Sequence, residues 1–366
     1  MMKLQNHILT FANGETGLFQ IFSDYWNHFL TNENKTNGRI LEYDKSISFE
    51  EKQNIVDQAI IDEVIRRSGI NYATKDNVAS WFSHPVAQHE TFAVVGALID
   101  SVLPQTVIDH IGMYTDIRVG GFGDSFAFDI EPRDIFTVSR SGRAQRKANV
   151  HKQFRGQVPV LPENHEITVG VSFYRVLSGK ESLGRFVLKA LQAITTQMTL
   201  DAYNVFKEAM DDLDSTANTG LRVSGWAQST AVDLATRVSA WNNSRAIFMG
   251  TKSALVNVLP NDANYRYELE SDFVKMGYVR QFAGFDVMML DQVADYSTEF
   301  GVALADDRIW IISPNRDKPV KICLEGQMLS YVDGTFANAD LSQDATMQKS
   351  WKAAIATNVI GGVITL

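Results

Sequence analysis

The stretch Ser178–Asp214, SGKESLGRFVLKALQAITTQMTLDAYNVFKEAMDDLD, decides how the rest of the chain is read. Leu183, Val187, Leu191, Ile194, Met198, Ala202, Val205, Ala209 and Leu213 step by three or four along one stripe, and no proline interrupts them. Ser178-Gly179-Lys180-Glu181 has the spacing of a capping box. A continuous helix over 181–214 would be about 50 Å long at 1.5 Å per residue, more than one compact lobe covers. It is expected to be a spine joining parts of the molecule. Asp211, Asp212 and Asp214 oppose the helix dipole at its end, so the last turn is the weakest.

Upstream, Ile117-Arg118-Val119-Gly120-Gly121-Phe122-Gly123-Asp124-Ser125 is a glycine-rich turn, followed by alternating Phe126, Phe128 and Ile130. Ile167, Val169, Val171 and Phe173 alternate in the same way, so the two stretches are expected to form an antiparallel pair. Between them lie Arg140, Arg143, Arg146, Lys147, Lys152 and Arg155, with no acidic residue from Ile135 to Pro162. Gly156, Pro159 and Pro162 close this basic projection. It reads either as a nucleic-acid surface, as a subunit contact or as a solvated loop tip. Phe136 and Phe154 are the only aromatics near it; base stacking is a main source of single-strand affinity, so protein contact is favoured.

Near the N-terminus, Ser48-Phe49-Glu50-Glu51 is a second capping box, and Ile55, Val56, Ala59, Ile60 and Val64 define an amphipathic helix that Ser68-Gly69 stops. Before it, Phe19, Phe22, Tyr25 and Trp26 give apolar anchors without a steady period, the pattern of an arm. The apolar run Phe92–Leu103 is expected to end at Pro104. Beyond Gly220 the pattern is a helix over 230–241, strands at 246–249, within 278–290 and at 308–313, then a short strand from Val320, a polar loop and an apolar finish over 355–366.

Composition sets the limits. The 366 residues are 45% hydrophobic and 21% charged, which excludes disorder and allows more than one packed lobe. A net charge of -9 argues against a surface that grips nucleic acid throughout. The single cysteine, Cys323, excludes an intramolecular disulfide and a Cys-rich zinc site and suits a reducing compartment. No segment has the length of a signal peptide's apolar run or a membrane span, so the chain reads as soluble and not exported, with no membrane partner.

Catalytic signatures fail at defining positions. Gly250-Thr251-Lys252-Ser253 lacks the glycine and lysine of a phosphate-binding loop, having Arg245 and Thr251 there, and reads as a strand turning into a short helix. Gly120-Gly121-Phe122-Gly123 precedes a strand and does not open a helix. Gly170-Val171-Ser172-Phe173-Tyr174 has Tyr174 where a nucleophile elbow needs glycine. No histidine pair has the i, i+4 spacing of zinc ligands; His84 and His89 are five apart with Pro85 between. No catalytic, cofactor-binding or metal-binding residue is assigned, and no cofactor.

The order of parts, an arm, an extended excursion, a spine helix after the return strand, a mixed lobe and a strand-loop-strand return, resembles the major capsid proteins of tailed double-stranded DNA bacteriophages, the Hong Kong 97 fold, shared with encapsulin shells. The resemblance spans residues from about Phe92 to Leu366. Local echoes are Ser101-Val102-Leu103-Pro104 with Tyr114–Val119, Gly277–Val287 as the strand-glycine-strand of the axial lobe, and Asn358-Val359-Ile360-Gly361-Gly362-Val363. It implies an α+β fold with an N-terminal arm and helix (1–80), a peripheral domain (81–121, and 166–219 with the spine helix), an extended β-hairpin loop (122–165), an axial domain (220–318) and peripheral return strands (319–366). The function implied is a major capsid protein, not an enzyme, self-assembling as hexamers and pentamers into an icosahedral virion shell around double-stranded DNA and assembled in the host cytoplasm. The alternatives are an encapsulin compartment shell and an unrecognised cytosolic α+β enzyme. The basic loop tip would contact a neighbouring subunit, and Phe19, Phe22, Tyr25 and Trp26 would anchor in an adjacent subunit's grooves. Packaged DNA would be touched weakly and without specificity. A fused scaffolding prefix is expected to be absent, leaving scaffolding, portal and decoration proteins as separate partners. Lys147 and Lys152 lie in the loop that some members crosslink, but no matching Asn and Glu stand out and no crosslink is assigned.

Overall fold

The structure, a computed structural model, describes residues 16–33, 41–69, 84–130, 156–172, 175–176, 178, 180–211, 220–258, 277–296, 299–332 and 342–366. Four helices come first or carry the core: α1 (Thr16–Asn32), α2 (Phe49–Ser68), α3 (Pro85–Ile111) and α4 (Leu183–Asp211). The strands β1 (Thr115–Gly120), β2 (Phe126–Ile130), β3 (Gly156–Val160) and β4 (Glu163–Ser172) lie between α3 and α4. Then follow β5 (Arg222–Ser224), α5 (Gln228–Asn242), β6 (Ile247–Gly250), α6 (Lys252–Leu255), β7 (Gln281–Phe282), β8 (Phe285–Met289), β9 (Ala294–Asp295), β10 (Gly301–Val302), β11 (Arg308–Ile312), β12 (Val320–Val332), β13 (Ser342–Ile355) and β14 (Gly362–Thr365). The fold is α+β.

Helix α4 is the spine. It has 29 residues, about 43 Å at 1.5 Å per residue. Leu183, Val187, Leu191, Ile194, Met198 and Ala202 are buried as the stripe requires. In the last turns the buried face moves to Phe206 and Met210, one residue on from Val205 and Ala209, as a 3.6-residue period drifts against steps of three and four. The N-terminus corrects the sequence reading: the cap is Ser182, whose Oγ accepts from the Arg185 amide (3.1 Å), while Ser178 Oγ donates to the Arg175 carbonyl. Asp57 of α2 reinforces it, accepting from Ser182 Oγ (2.9 Å) and the Gly184 amide (2.7 Å). A carboxylate at a helix N-terminus satisfies otherwise unpaired amides and complements the dipole.

Two sheets flank this spine. A four-stranded sheet of order β1-β12-β13-β4 lays Ile322, Leu324, Ala345, Met347 and Trp351 against the helices. A six-stranded sheet of order β5-β14-β11-β6-β8-β7 has two buried faces. Ile247, Met249, Trp310, Ile312 and Val363 join the main core, where Phe206 of α4 meets Trp310 edge to face (5.6 Å). Phe248, Ile309, Ile311 and Ile364 face the other way and form a second core with α5. Such period-two alternation with both sides apolar is why these strands read as continuous hydrophobic runs. Asn242 at the end of α5 ties in the C-terminal segment, accepting from the Ile360 amide and donating to the Ile360 carbonyl (2.9 and 2.7 Å).

Four further expectations need correction. Pro104 does not end its helix; α3 continues to Ile111, because Val107 and Ile111 stay buried in the core and that burial outweighs one lost backbone bond. Phe126, Phe128 and Ile130 do not pair with the 167–173 stretch. They pair with β3, in the register Phe126↔Val160 to Ile130↔Gly156, while β4 pairs antiparallel with β13. The strand from Val320 is not short: β12 and β13 have 13 and 14 residues and pair along their length except for a bulge between Glu325 and Leu329. Finally, Phe19, Phe22, Tyr25 and Trp26 lie on a helix of the chain's own core. Phe22, Tyr25 and Trp26 are buried, Phe19 packs at the edge, and Trp26 Nε1 donates to Thr106 Oγ1 of α3 (3.0 Å). Leu18, Ile21, Phe22, Tyr25 and Trp26 follow i, i+3, i+4, i+7, i+8, so this face of α1 packs into the chain's own core, with Phe19 at its partly buried edge.

Candidate assembly surfaces

Strands β2 and β3 form a two-stranded ribbon that leaves the four-stranded sheet. Its foot is fixed by a small core of its own, in which Phe126, Phe128 and Val160 sit on Cys323 on the outer face of β12. Arg118 of β1 clamps this foot, donating to the Ala127 carbonyl (2.6 Å) with its guanidinium 4.5 Å above the Phe128 ring. The preceding turn is held by Asp124, which accepts from the Gly121 amide (2.6 Å), and by the Gly123 amide donating to Glu325 (2.8 Å). Gly326, at φ +60°, lets the Phe122 ring lie on the bulge of β12, where a Cβ would come within 2.4 Å of that ring. Burial in this foot pushes the Cys323 thiol's pKa up.

Burial falls away along the ribbon, from buried Val160 at the foot to exposed Gln157 and Gly156 at the far end. At that far end Ile130 pairs with Gly156. Arg140, Arg143, Arg146, Lys147, Lys152 and Arg155 all belong to the segment 131–155 and lie outside the described residues.

The return strand is fastened to the spine. His165 of β4 stacks on Trp351 of β13 (3.7 Å, 7°), and Trp351 Nε1 donates to Asp201 of α4 (2.9 Å). Glu163 pairs with Lys352, a hydrogen bond that holds the Glu163 carboxyl below the usual carboxylate range. Under the sheet, Lys349 Nζ lies 2.6 Å from both Asp100 Oδ1 of α3 and the Gly326 carbonyl, and Asp100 also accepts from the Met328 amide. The Gly326 carbonyl and the Met328 amide of the bulge are thereby satisfied by a largely buried ion pair.

Sequence reasoning missed the exposed apolar groups around these elements. Phe122, Leu161, Leu329 and Tyr331 are exposed at or beside the ribbon foot and on the outer face of β12. Tyr296 and Phe300 are 87% and 97% exposed at the end of the β9–β10 hairpin. Leu329 and Tyr331 carry no distinguishing signal, because alternation names two faces of a strand without saying which one is covered. Tyr296 and Phe300 did carry one, two aromatics within a polar turn-like stretch. Among the described residues no three His, Cys, Asp or Glu side chains are grouped to hold a metal ion, and no helix is long and apolar enough to cross a membrane.

No protein-family model matches the chain, and no curated protein matches it. Among solved structures it is similar to the capsid of the cyanophage P-SCSP1u (10% identity, TM-score 0.46, covering 69% of this chain and 86% of that one). It is also similar to the mature capsid of bacteriophage PhiM1 (7% identity, TM-score 0.45, 69% and 85%). A third is a virus-like particle from Pyrococcus furiosus (12% identity, TM-score 0.40, 72% and 96%).

Proposed function

We propose that this chain is a shell subunit with the Hong Kong 97 arrangement, a major capsid protein that assembles with copies of itself as hexamers and pentamers into an icosahedral shell around double-stranded DNA. The observation that carries this reading is the run from ribbon to spine: a two-stranded ribbon fixed at its foot, a return strand fastened to α4, and a long helix that bridges both sheets. A subunit that closes a lattice needs a rigid body and elements that reach beyond it, because heterologous contacts must repeat around each axis. The rigid body is supplied by the cores on either side of the six-stranded sheet. Reach is supplied by the ribbon, whose two strands precede and follow the basic segment 131–155 in sequence. That segment would lie on an acidic surface of the next copy, and the net charge of -9 provides such surfaces. The same charge makes contact with packaged DNA weak and non-specific. Scaffolding, portal and decoration proteins would be its partners, and assembly would take place in the host cytoplasm.

The test is Arg143→Glu combined with Arg146→Glu, compared with the parent chain for particle yield by sedimentation and for folding by circular dichroism. Loss of particles with an unchanged subunit spectrum supports the reading. Unchanged particle yield removes the basic segment from assembly.

A further inference from the structure

We propose that the cluster around His28 is a proton-operated latch: with a neutral imidazole it holds α1 and the 41–48 segment against α2, and with an imidazolium it releases them and uncovers the apolar face of α1. The proposal concerns the chain by itself and does not depend on the shell reading. His28 stacks on Tyr43 (ring centroids 4.5 Å apart, interplanar angle 17°) and meets Phe49 of α2 edge to face (5.5 Å). Its Nδ1 is buried with no hydrogen-bond partner among the described residues. Lys52 of α2, only 1% exposed, puts its ammonium 4.9 Å from the centroid of the same Tyr43 ring.

The charges acting on His28 are Lys52 on α2 and Asp24 on its own helix, while Lys45 of the 41–48 segment lies against the Tyr43 ring on which His28 stacks. Lys45 lies 5.9 Å from the Tyr43 centroid. Asp24 is the only carboxylate of these, and both of its oxygens are already engaged, Oδ2 by Lys52 (2.6 Å) and Oδ1 by the Asp44 amide (2.7 Å). A proton arriving on His28 therefore meets the Lys52 ammonium and aromatic walls, with the compensating carboxylate committed elsewhere. Burial first, and Lys52 second, hold the imidazole below its ordinary pKa, with Asp24 opposing them in part.

The sign follows. A histidine whose pKa is lowered by docking is easier to protonate once α1 has detached, so the detached state binds more protons below the ordinary imidazole value of about 6.5. Docking stability is fully present above that pH and is lost as pH falls through the window down to the lowered value. Detachment would uncover Leu18, Ile21, Phe22, Tyr25 and Trp26, the face that now seals the helical core.

The experiment is amide hydrogen exchange on the full chain at about pH 7.5 and about pH 5, with rates corrected for intrinsic exchange and α4 as the internal reference. In the parent chain, protection of residues 17–32 is expected to drop relative to α4 at the lower pH. In His28→Phe, which keeps the stack on Tyr43 without a titrating group, the drop should vanish. In Lys52→Met, it should shrink. Protection of α1 that tracks α4 at both pH values in the parent chain overturns the proposal, and so does an equal drop in parent and His28→Phe. Should either variant not fold, the parent measurement alone decides against the latch if α1 keeps its protection, and His28→Gln replaces the variant arm.

Discussion

Phe22→Ala separates a helix that seals its own subunit from one that reaches a neighbour. Phe22 is fully buried in the main core, 6.5 Å from the Tyr25 ring. Deleting a buried phenylalanine removes its transfer free energy and leaves a cavity, together about 3–5 kcal/mol. Domains are stable by only about 5–15 kcal/mol, so the loss is a large fraction of the total. With a guanidinium slope of about 5 kcal/mol per molar, a loss of about 4 kcal/mol lowers the unfolding midpoint by roughly 0.8 M. The assay is equilibrium denaturation by far-ultraviolet circular dichroism, at equal concentrations of dispersed subunit. Phe19→Ala, at the partly buried edge of the same helix, should cost clearly less. A midpoint unchanged in Phe22→Ala, with assembly alone impaired, would refute the placement of α1 in its own core.

Three further outcomes are expected. Asp57→Ala removes two hydrogen bonds from the start of α4 and should destabilise the chain by about 1–2 kcal/mol, read as a lower thermal midpoint, with Asp57→Asn intermediate. Lys349→Met leaves the Asp100 carboxylate without its cation under the β12 bulge and should cost about 3 kcal/mol; adding Asp100→Leu removes the lone charge but leaves the Gly326 carbonyl and the Met328 amide without these partners, so it should restore only part of the loss, which a double-mutant cycle measures. Acidification should weaken the end of α2, because hydrogen bonds from Arg66 and Arg67 outweigh the opposing burial and hold the Glu63 pKa down. Its contribution is present above the ordinary carboxylate value and lost as pH falls through the lowered one; Glu63→Gln should flatten that part of the stability profile.

The helices were legible where a local pattern and a tertiary demand coincide. Ser48-Phe49-Glu50-Glu51 forms both halves of its capping box, and Gly69 closes α2 in the left-handed conformation. Gly250-Thr251-Lys252-Ser253 is a strand turning into a short helix, with Thr251 Oγ1 capping the Ala254 amide. Legibility failed where long-range packing overrides local signals. Pro104 sits inside α3 because residues beyond it are buried. The ribbon partner β3 contains Gly156 and Pro159, residues that read as loop, yet a two-stranded ribbon has open edges where a missing amide costs little. The length of β12 was hidden because its alternation breaks at the bulge, and the buried charge on its outer face, Lys321, is paired with Asp317 (2.6 Å) by contacts no periodicity shows. Exposure on a sheet face depends on what covers it, so Leu329 and Tyr331 could be found only in three dimensions.

The central claim is self-assembly, and negative-stain microscopy with sedimentation of the purified full chain tests it most directly. Rings and closed shells tens of nanometres across are expected, about the size that repeated contacts around five-fold and six-fold axes generate. A monomer or dimer that persists across protein and salt concentrations would contradict it.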